Sequence, residues 1–165
     1  MDRLILLRHG DAERDADSGD DFDRALSRVG HEESAGAGQA LAELGLIPDL
    51  ALVSGAVRTR ETWTELAPSF PSARARFEDT LYLADTEIIT AALGQAAPTT
   101  KTLMVVAHNP GLQDLALRLL IQGGAPPSAI QRVRTAFPTG GAAVFLFDGA
   151  GRPAYDGLFY PRDRR

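Results

Sequence analysis

Three segments of the chain contain side chains that could bind and transfer a phosphoryl group. Arg8 and His9 stand in LLRHG near the N-terminus. Arg58 stands in LVSGAVRTR and His108 in VVAHNPG. A guanidinium presents paired donors that match phosphate oxygens, and two arginines can neutralise a dianion in the transition state. A neutral imidazole can attack phosphorus, while a second, protonated imidazole can donate to a phosphoryl oxygen.

Each of these segments follows a short apolar run that is typical of a buried strand. The predicted strands are Leu4–Leu7, Leu50–Val53 and Thr102–Ala107, with a fourth at Ala142–Phe147. In open α/β sheets, ligands bind beyond the carboxyl ends of the strands. If the first three strands are parallel, the two arginines and the two histidines meet at one edge of the sheet and form a cationic site.

Helical patterns lie between the apolar runs. Ser27 is suited to cap a first helix, and Pro110 to precede a last one whose leucines recur on one face. The predicted helices span about residues 28–44, 55–68, 86–93 and from 111 onwards, and residues 11–23 and 123–127 are predicted loops. Alternating strands and helices predict an α/β fold, a three-layer sandwich with a mainly parallel central sheet flanked by helices.

Composition limits the classes of function. The chain has 165 residues, 44% hydrophobic and 24% charged, which predicts a single domain over residues 1–165 with a sizeable core. Its net charge of −5 argues against nucleic acid or an anionic membrane as the main partner. We see no signal peptide and no apolar run near the ~20 residues of a membrane span. The basic tail, residues 161–165, is predicted to be a solvated end.

No metal or cofactor is predicted. The chain has no cysteine, which excludes disulfides and thiolate ligands. Its three histidines lack the spacing of a zinc site. The acidic residues of the 11–23 segment do not follow the pattern of a calcium loop.

In this order, the three segments resemble the histidine phosphatase superfamily, and more closely its small SixA-like phosphohistidine phosphatase branch. DFDRALSRVG (21–30), LYLAD (81–85) and FPTGG (137–141) are similar to further motifs of that branch. The resemblance implies a phosphoglycerate-mutase-like fold and a metal-independent phosphatase that forms a phosphohistidine intermediate. It also implies a cytoplasmic protein of signal transduction.

The resemblance assigns roles to the four residues already singled out. His9 matches the phosphorylated nucleophile, and Arg8 matches the phosphate-binding arginine beside it. Arg58 matches the second arginine of the family's site, and His108 matches its second histidine. All four are therefore predicted to be catalytic.

Three further residues are predicted to bind substrate. Arg24 matches an arginine that reaches the phosphate pocket in SixA-like members, although it could instead pair with Asp21 or Asp23. Gly10 and Asn109 directly follow the two histidines. Their place beside those histidines predicts contact with the phosphoryl group.

One residue of the wider superfamily has no counterpart in this chain. Mutase-like and general phosphatase branches have a glutamate general acid in an L-x-E segment, where this chain has Leu83. Asp85 is the nearest acid that could replace it, but a surface or helix-capping role is favoured for this residue. An alkoxide leaving group needs a proton in the transition state, whereas the imidazole of phosphohistidine can leave already protonated. We therefore expect a phosphohistidine-bearing protein as substrate. The alternatives are a small phosphomonoester, or a non-catalytic binder of phosphate or phosphoprotein.

Overall fold

A six-stranded sheet forms the centre of the protein, in a computed structural model that describes residues 1–161. The strand order is β3-β2-β4-β1-β5-β6. The four strands β1 to β4 are parallel, while β5 runs antiparallel to β1 and β6 antiparallel to β5. The strands are β1 (Arg3–Arg8), β2 (Leu50–Ser54), β3 (Arg74–Glu78), β4 (Thr102–Ala107), β5 (Ala142–Phe147) and β6 (Pro153–Phe159). The predicted mainly parallel sheet is confirmed.

Helices cover both faces of the sheet, as predicted for a three-layer sandwich. They are α1 (Arg28–Glu43), α2 (Val57–Leu66), α3 (Thr86–Ala96), α4 (Gly111–Gln122) and α5 (Pro127–Thr135). In β1, Ile5 and Leu7 pack in the cluster that includes α1 and α2. Leu4 and Leu6 pack in the cluster that includes α3, α4 and α5. Because both faces of β1 are buried, the strand is a continuous apolar run.

Strands β3 and β6 and helix α5 were not predicted from the sequence. Strands β3 and β6 lie at the two edges of the sheet, and most of their residues are partly or fully exposed. Their sequences, RARFE and PAYDGLF, therefore lack the apolar run of a central strand. Helix α5 begins at Pro127, the last residue of a predicted loop, and buries only Ala129 and Val133.

Close backbone contacts fix the segment that follows β1. A Cβ atom on Gly10 would lie 2.4 Å from the carbonyl oxygen of Gly30, near the start of α1. A side chain at residue 10 would therefore force the backbone of α1 to shift. Ser27 caps α1, since its side chain accepts a hydrogen bond from the Gly30 amide. The start of α1 therefore packs directly against the chain beside His9.

The structure bears on the predicted absence of a membrane span but not on the predicted solvated tail. None of the helices within residues 1–161 is long and apolar enough to span a bilayer. Residues 162–165, which form most of the basic tail, lie outside the described range, so the predicted solvated end stays a prediction.

Candidate active site

The carboxyl ends of β1, β2 and β4 lie at one edge of the sheet, and the polar side chains that follow them meet there. The ring centroids of His9 and His108 are 5.2 Å apart. Arg58, in the first turn of α2, directs its Nε at the Nε2 atom of His9, 3.4 Å away. The three residues are almost inaccessible, with exposed fractions of 6% for His9, 2% for Arg58 and 2% for His108. Three of the four residues predicted to be catalytic are thus in direct proximity.

The proton of His9 is held on Nδ1. This atom lies 2.7 Å from the carbonyl oxygen of Gly10, which can only accept a hydrogen bond. Burial lowers the pKa of His9 to about 4, and the cations Arg58 and Arg8 add to the effect, while the bond to Gly10 opposes it. At neutral pH the imidazole is therefore uncharged, with a lone pair on Nε2.

His108 is also uncharged in this site. Burial lowers its pKa to about 3, and His9 and Arg58 lower it further than Asp21 raises it. Its Nε2 lies 2.7 Å from the hydroxyl oxygen of Ser54, at the end of β2. If Ser54 donates its hydroxyl proton to Nε2, the ring proton is on Nδ1, a buried atom that has no partner among the described residues. The sequence suggested that the second imidazole could donate if protonated, but a neutral ring can also donate from Nδ1.

Arg8 and Asn109 are joined through one carbonyl group. Both Nη1 of Arg8, at 3.1 Å, and Nδ2 of Asn109, at 2.9 Å, donate to the carbonyl oxygen of Phe137. The Nε atom of Arg8 and the Oδ1 atom of Asn109 are buried without a partner among the described residues. The charge of Arg8 contributes to the lowered pKa of His9. Gly10 contributes backbone contacts, since its amide donates to Oγ1 of Thr62 at 3.1 Å.

Arg24 pairs with Asp21, which is the alternative that the sequence left open. Its Nε donates to Oδ1 of Asp21 at 2.9 Å, and its Nη1 donates to the carbonyl oxygen of Glu13 at 2.7 Å. Arg24 is thus linked to His9 through Asp21 and Arg58. Its charge also contributes to the lowered pKa of His9.

Asp21 and Tyr82 are site residues that the sequence analysis did not identify. The Tyr82 hydroxyl and Nη2 of Arg58 donate to Oδ2 of Asp21, at 2.5 Å and 3.1 Å. The Tyr82 ring stands edge-on to His108, with centroids 5.5 Å apart. The hydrogen bond from Tyr82, with those from Arg24 and Arg58, holds the pKa of the Asp21 carboxyl well below its usual range. Both residues lie in motifs quoted above, DFDRAL and LYLAD, which was the available signal.

No family model matches the chain. A curated relative, an uncharacterized chloroplastic protein of Arabidopsis thaliana, is 32% identical over 174 residues, covering 96% of this chain and 78% of the relative. A solved structure described as a candidate phosphohistidine phosphatase SixA from Agrobacterium tumefaciens has a TM-score of 0.83 and 27% identity. It covers 97% of this chain and 98% of its own. The chain belongs to the SixA-like branch of the histidine phosphatase superfamily.

Two further structures agree with the SixA-like assignment and its fold. A SixA structure from Nakamurella multipartitia, also described as a candidate, has a TM-score of 0.83 and 27% identity, covering 97% of this chain and 96% of its own. A phosphoglycerate mutase of Plasmodium falciparum is 18% identical and covers 94% of this chain and 88% of its own, with a TM-score of 0.65. The predicted phosphoglycerate-mutase-like fold is confirmed, and this SixA-like protein is a phosphatase of the histidine phosphatase type.

Asp85 has the helix-capping role that the sequence favoured. Asp85 is the N-cap of α3, where its side chain accepts from the amide of Ile88 at 2.9 Å. It therefore has a structural role at the helix start. Leu83 is 52% exposed, and the carboxylate in contact with the site residues is that of Asp21. Within residues 1–161, no cluster of three histidine or acidic side chains could hold a metal ion.

Proposed function

We propose that this protein removes the phosphoryl group from phosphohistidine on a partner protein, through an intermediate phosphorylated on His9. The observation that supports this most directly is the state of His9. Its Nδ1 donates to the Gly10 carbonyl, and its lowered pKa leaves Nε2 unprotonated, with its lone pair directed at the Arg58 Nε–H. An uncharged imidazole with a defined tautomer is the form that can attack phosphorus.

The other residues have complementary roles in the first step. Nε2 of His9 forms a bond to phosphorus while the bond from phosphorus to the substrate nitrogen breaks. Arg58 and Arg8 stabilise the negative charge on the phosphoryl oxygens. The Nε–H of Arg58 keeps its proton but donates its hydrogen bond to one of these oxygens instead of to Nε2 of His9. The Nδ1–H of His108 donates to another oxygen. Water then attacks phosphorus, His9 leaves, and inorganic phosphate is released.

Neither Asp21 nor Asp85 is suited to protonate a leaving group, which favours phosphohistidine over alkyl phosphates as the substrate. The Asp21 carboxyl stays ionised because Tyr82 and the two arginines lower its pKa, so it is a poor proton donor. Asp85 is engaged in capping α3. A phosphorylated imidazole can leave with a proton already on its other nitrogen, and it therefore needs less acid catalysis than an alcohol does.

The first experiment substitutes the proposed nucleophile. We expect His9→Ala to lose turnover of p-nitrophenyl phosphate in EDTA by several orders of magnitude while it still binds tungstate. His31→Ala is the matched control, because His31 lies outside the site and bonds with Glu65 at 3.0 Å. Turnover by His9→Ala within tenfold of the wild type would contradict the assignment.

The second experiment identifies the substrate class. We expect the wild-type enzyme to dephosphorylate a phosphohistidine protein with a higher kcat/KM than sugar phosphates or a phosphoserine peptide. Equal rates on sugar phosphates would instead support a small-molecule phosphomonoesterase. Tungstate binding without turnover of any substrate would support a phosphate or phosphoprotein binder.

A further inference from the structure

The side chain and the backbone of Asp21 both bind the guanidinium of Arg58. Its carbonyl oxygen accepts from Nη1 at 2.8 Å, and its Oδ2 accepts from Nη2 at 3.1 Å. The Arg58 side chain is 3% exposed, whereas that of Asp21 is 47% exposed. An accessible loop residue therefore holds the buried arginine from the side that faces solvent.

These two bonds set the direction of the third donor. A guanidinium is planar, so fixing both terminal nitrogens also fixes the direction of the Nε–H bond. That bond points at Nε2 of His9, 3.4 Å away, where the transferred phosphorus would bond. The contacts of Asp21 thus determine which edge of Arg58 is presented to the reacting group.

Asp21 is itself held in place by two side chains, one that flanks its own turn and one from a distant part of the chain. Tyr82 donates to its Oδ2, and Arg24 donates to its Oδ1. Asp21 begins a short 3-10 turn, Asp21–Asp23, which is capped by the side chain of Asp20. The carboxylate therefore has a defined orientation before any substrate binds.

We propose that Asp21 is a positioning residue that aligns Arg58 for transfer of the phosphoryl group to His9. This inference rests on the proposed function of His9 and Arg58. This positioning role explains why the negatively charged Asp21 carboxylate stands in a site that must bind a phosphate dianion. A carboxylate there opposes anion binding, so its contribution is expected in the rate of the chemical step and not in affinity.

The test compares Asp21→Ala and Asp21→Asn with Asp23→Asn. Asp23 has the same charge and lies in the same turn, but its side chain accepts from Ser18 at 2.7 Å. Three quantities are measured for each variant: kcat on p-nitrophenyl phosphate, Kd for tungstate, and the NMR resonance of the Arg58 Nε–H. The Arg58→Lys variant assigns that resonance.

We expect Asp21→Ala to lower kcat by about 10²-fold, the effect of misplacing a catalytic group by roughly 1 Å. Its Kd for tungstate should be unchanged or lower, and its Arg58 Nε–H resonance should move away from the wild-type position, because only the backbone carbonyl still holds the guanidinium. Asp21→Asn should lose only about tenfold, because the amide oxygen can still accept from Nη2. Asp23→Asn should keep kcat within about threefold, because Arg58 keeps both of its partners.

Three results would overturn the proposal. They are a kcat of Asp21→Ala within threefold of the wild type, a loss of activity explained by weaker tungstate binding alone, and an unmoved Arg58 resonance. A wild-type enzyme without turnover would refute the proposed function, whereas the Arg58 resonance would still test the alignment by Asp21. A lower melting temperature with kcat and tungstate binding weakened together would show that Asp21 only holds the loop, and would also overturn the proposal.

Discussion

The lowered pKa of His9 can be measured directly, because the chain has only three histidines. Their Cε1–H signals are resolvable by proton NMR, and His9→Gln and His31→Gln assign them. We expect His9 to titrate at about 4, far below the ordinary 6.5. At about 1.36 kcal/mol per pKa unit, the difference corresponds to roughly 3 kcal/mol against the charged ring.

Arg58→Gln separates the contribution of the Arg58 cation to this shift from that of burial. Burial is the larger cause and the cation at 3.4 Å a smaller one. The variant should therefore raise the midpoint of His9 above 4 but leave it below 6.5. Arg60→Gln is the control of equal charge on the same helix, because Arg60 lies over the Phe77 ring and donates to the carbonyl of Gly55.

The outcome bears directly on the mechanism. With a pKa near 4, nearly all of His9 is neutral at pH 5.5, whereas an ordinary histidine would be roughly one-tenth neutral. After correction for ionisation of the substrate, kcat/KM should therefore persist below pH 6. A His9 midpoint at or above 6.5 would refute the reasoning, because the nucleophile would then be largely charged in mildly acidic solution.

Three further predictions follow from the same structure. The folded-state pKa of His9 lies below its unfolded value, so the contribution of this group to the free energy of unfolding is complete above pH 6.5 and is lost as pH falls towards 4. In urea unfolding, the free energy of unfolding of His9→Gln should therefore decline less steeply with falling pH than that of the wild type. A plot of kcat/KM against leaving-group pKa should fall steeply, and a flat plot would show that an acid does assist. Gly10→Ala should lower both the melting temperature and kcat, because its Cβ would lie 2.4 Å from the Gly30 carbonyl oxygen. Gly94→Ala, where nothing lies within 4 Å, should lower neither.

The site residues that lie at the carboxyl ends of central strands could be predicted from the sequence. Arg8 is the last residue of β1, and His9 and His108 come directly after β1 and β4. The apolar runs of these strands are recognisable because helices bury both faces. The rule that ligands bind beyond the carboxyl ends of such strands then predicted their convergence. Only the general chemistry of the residues and the direction of the strands were needed.

The remaining site features depend on contacts that no local pattern specifies. Asp21 and Tyr82 are 61 residues apart in the chain, and their hydrogen bond arises only when two surface segments meet. The charge of His108 could not be predicted either, because burial is the main cause of its lowered pKa. Edge strands β3 and β6 were missed because exposure removes the apolar pattern on which strand prediction relies.

The position of β1 in the sheet has a consequence for how this protein could acquire new substrates. Neighbouring strands fix β1 on both sides, and His9 follows directly at its end. Phe22, Tyr82 and Leu83 instead belong to two surface segments, which tolerate substitution and insertion far better than central strands do. We expect new specificities to arise by changes at Phe22 and Leu83, while Asp21 and Tyr82 are kept to hold Arg58. One phosphoryl-transfer step could then serve many leaving groups without any redesign of the sheet.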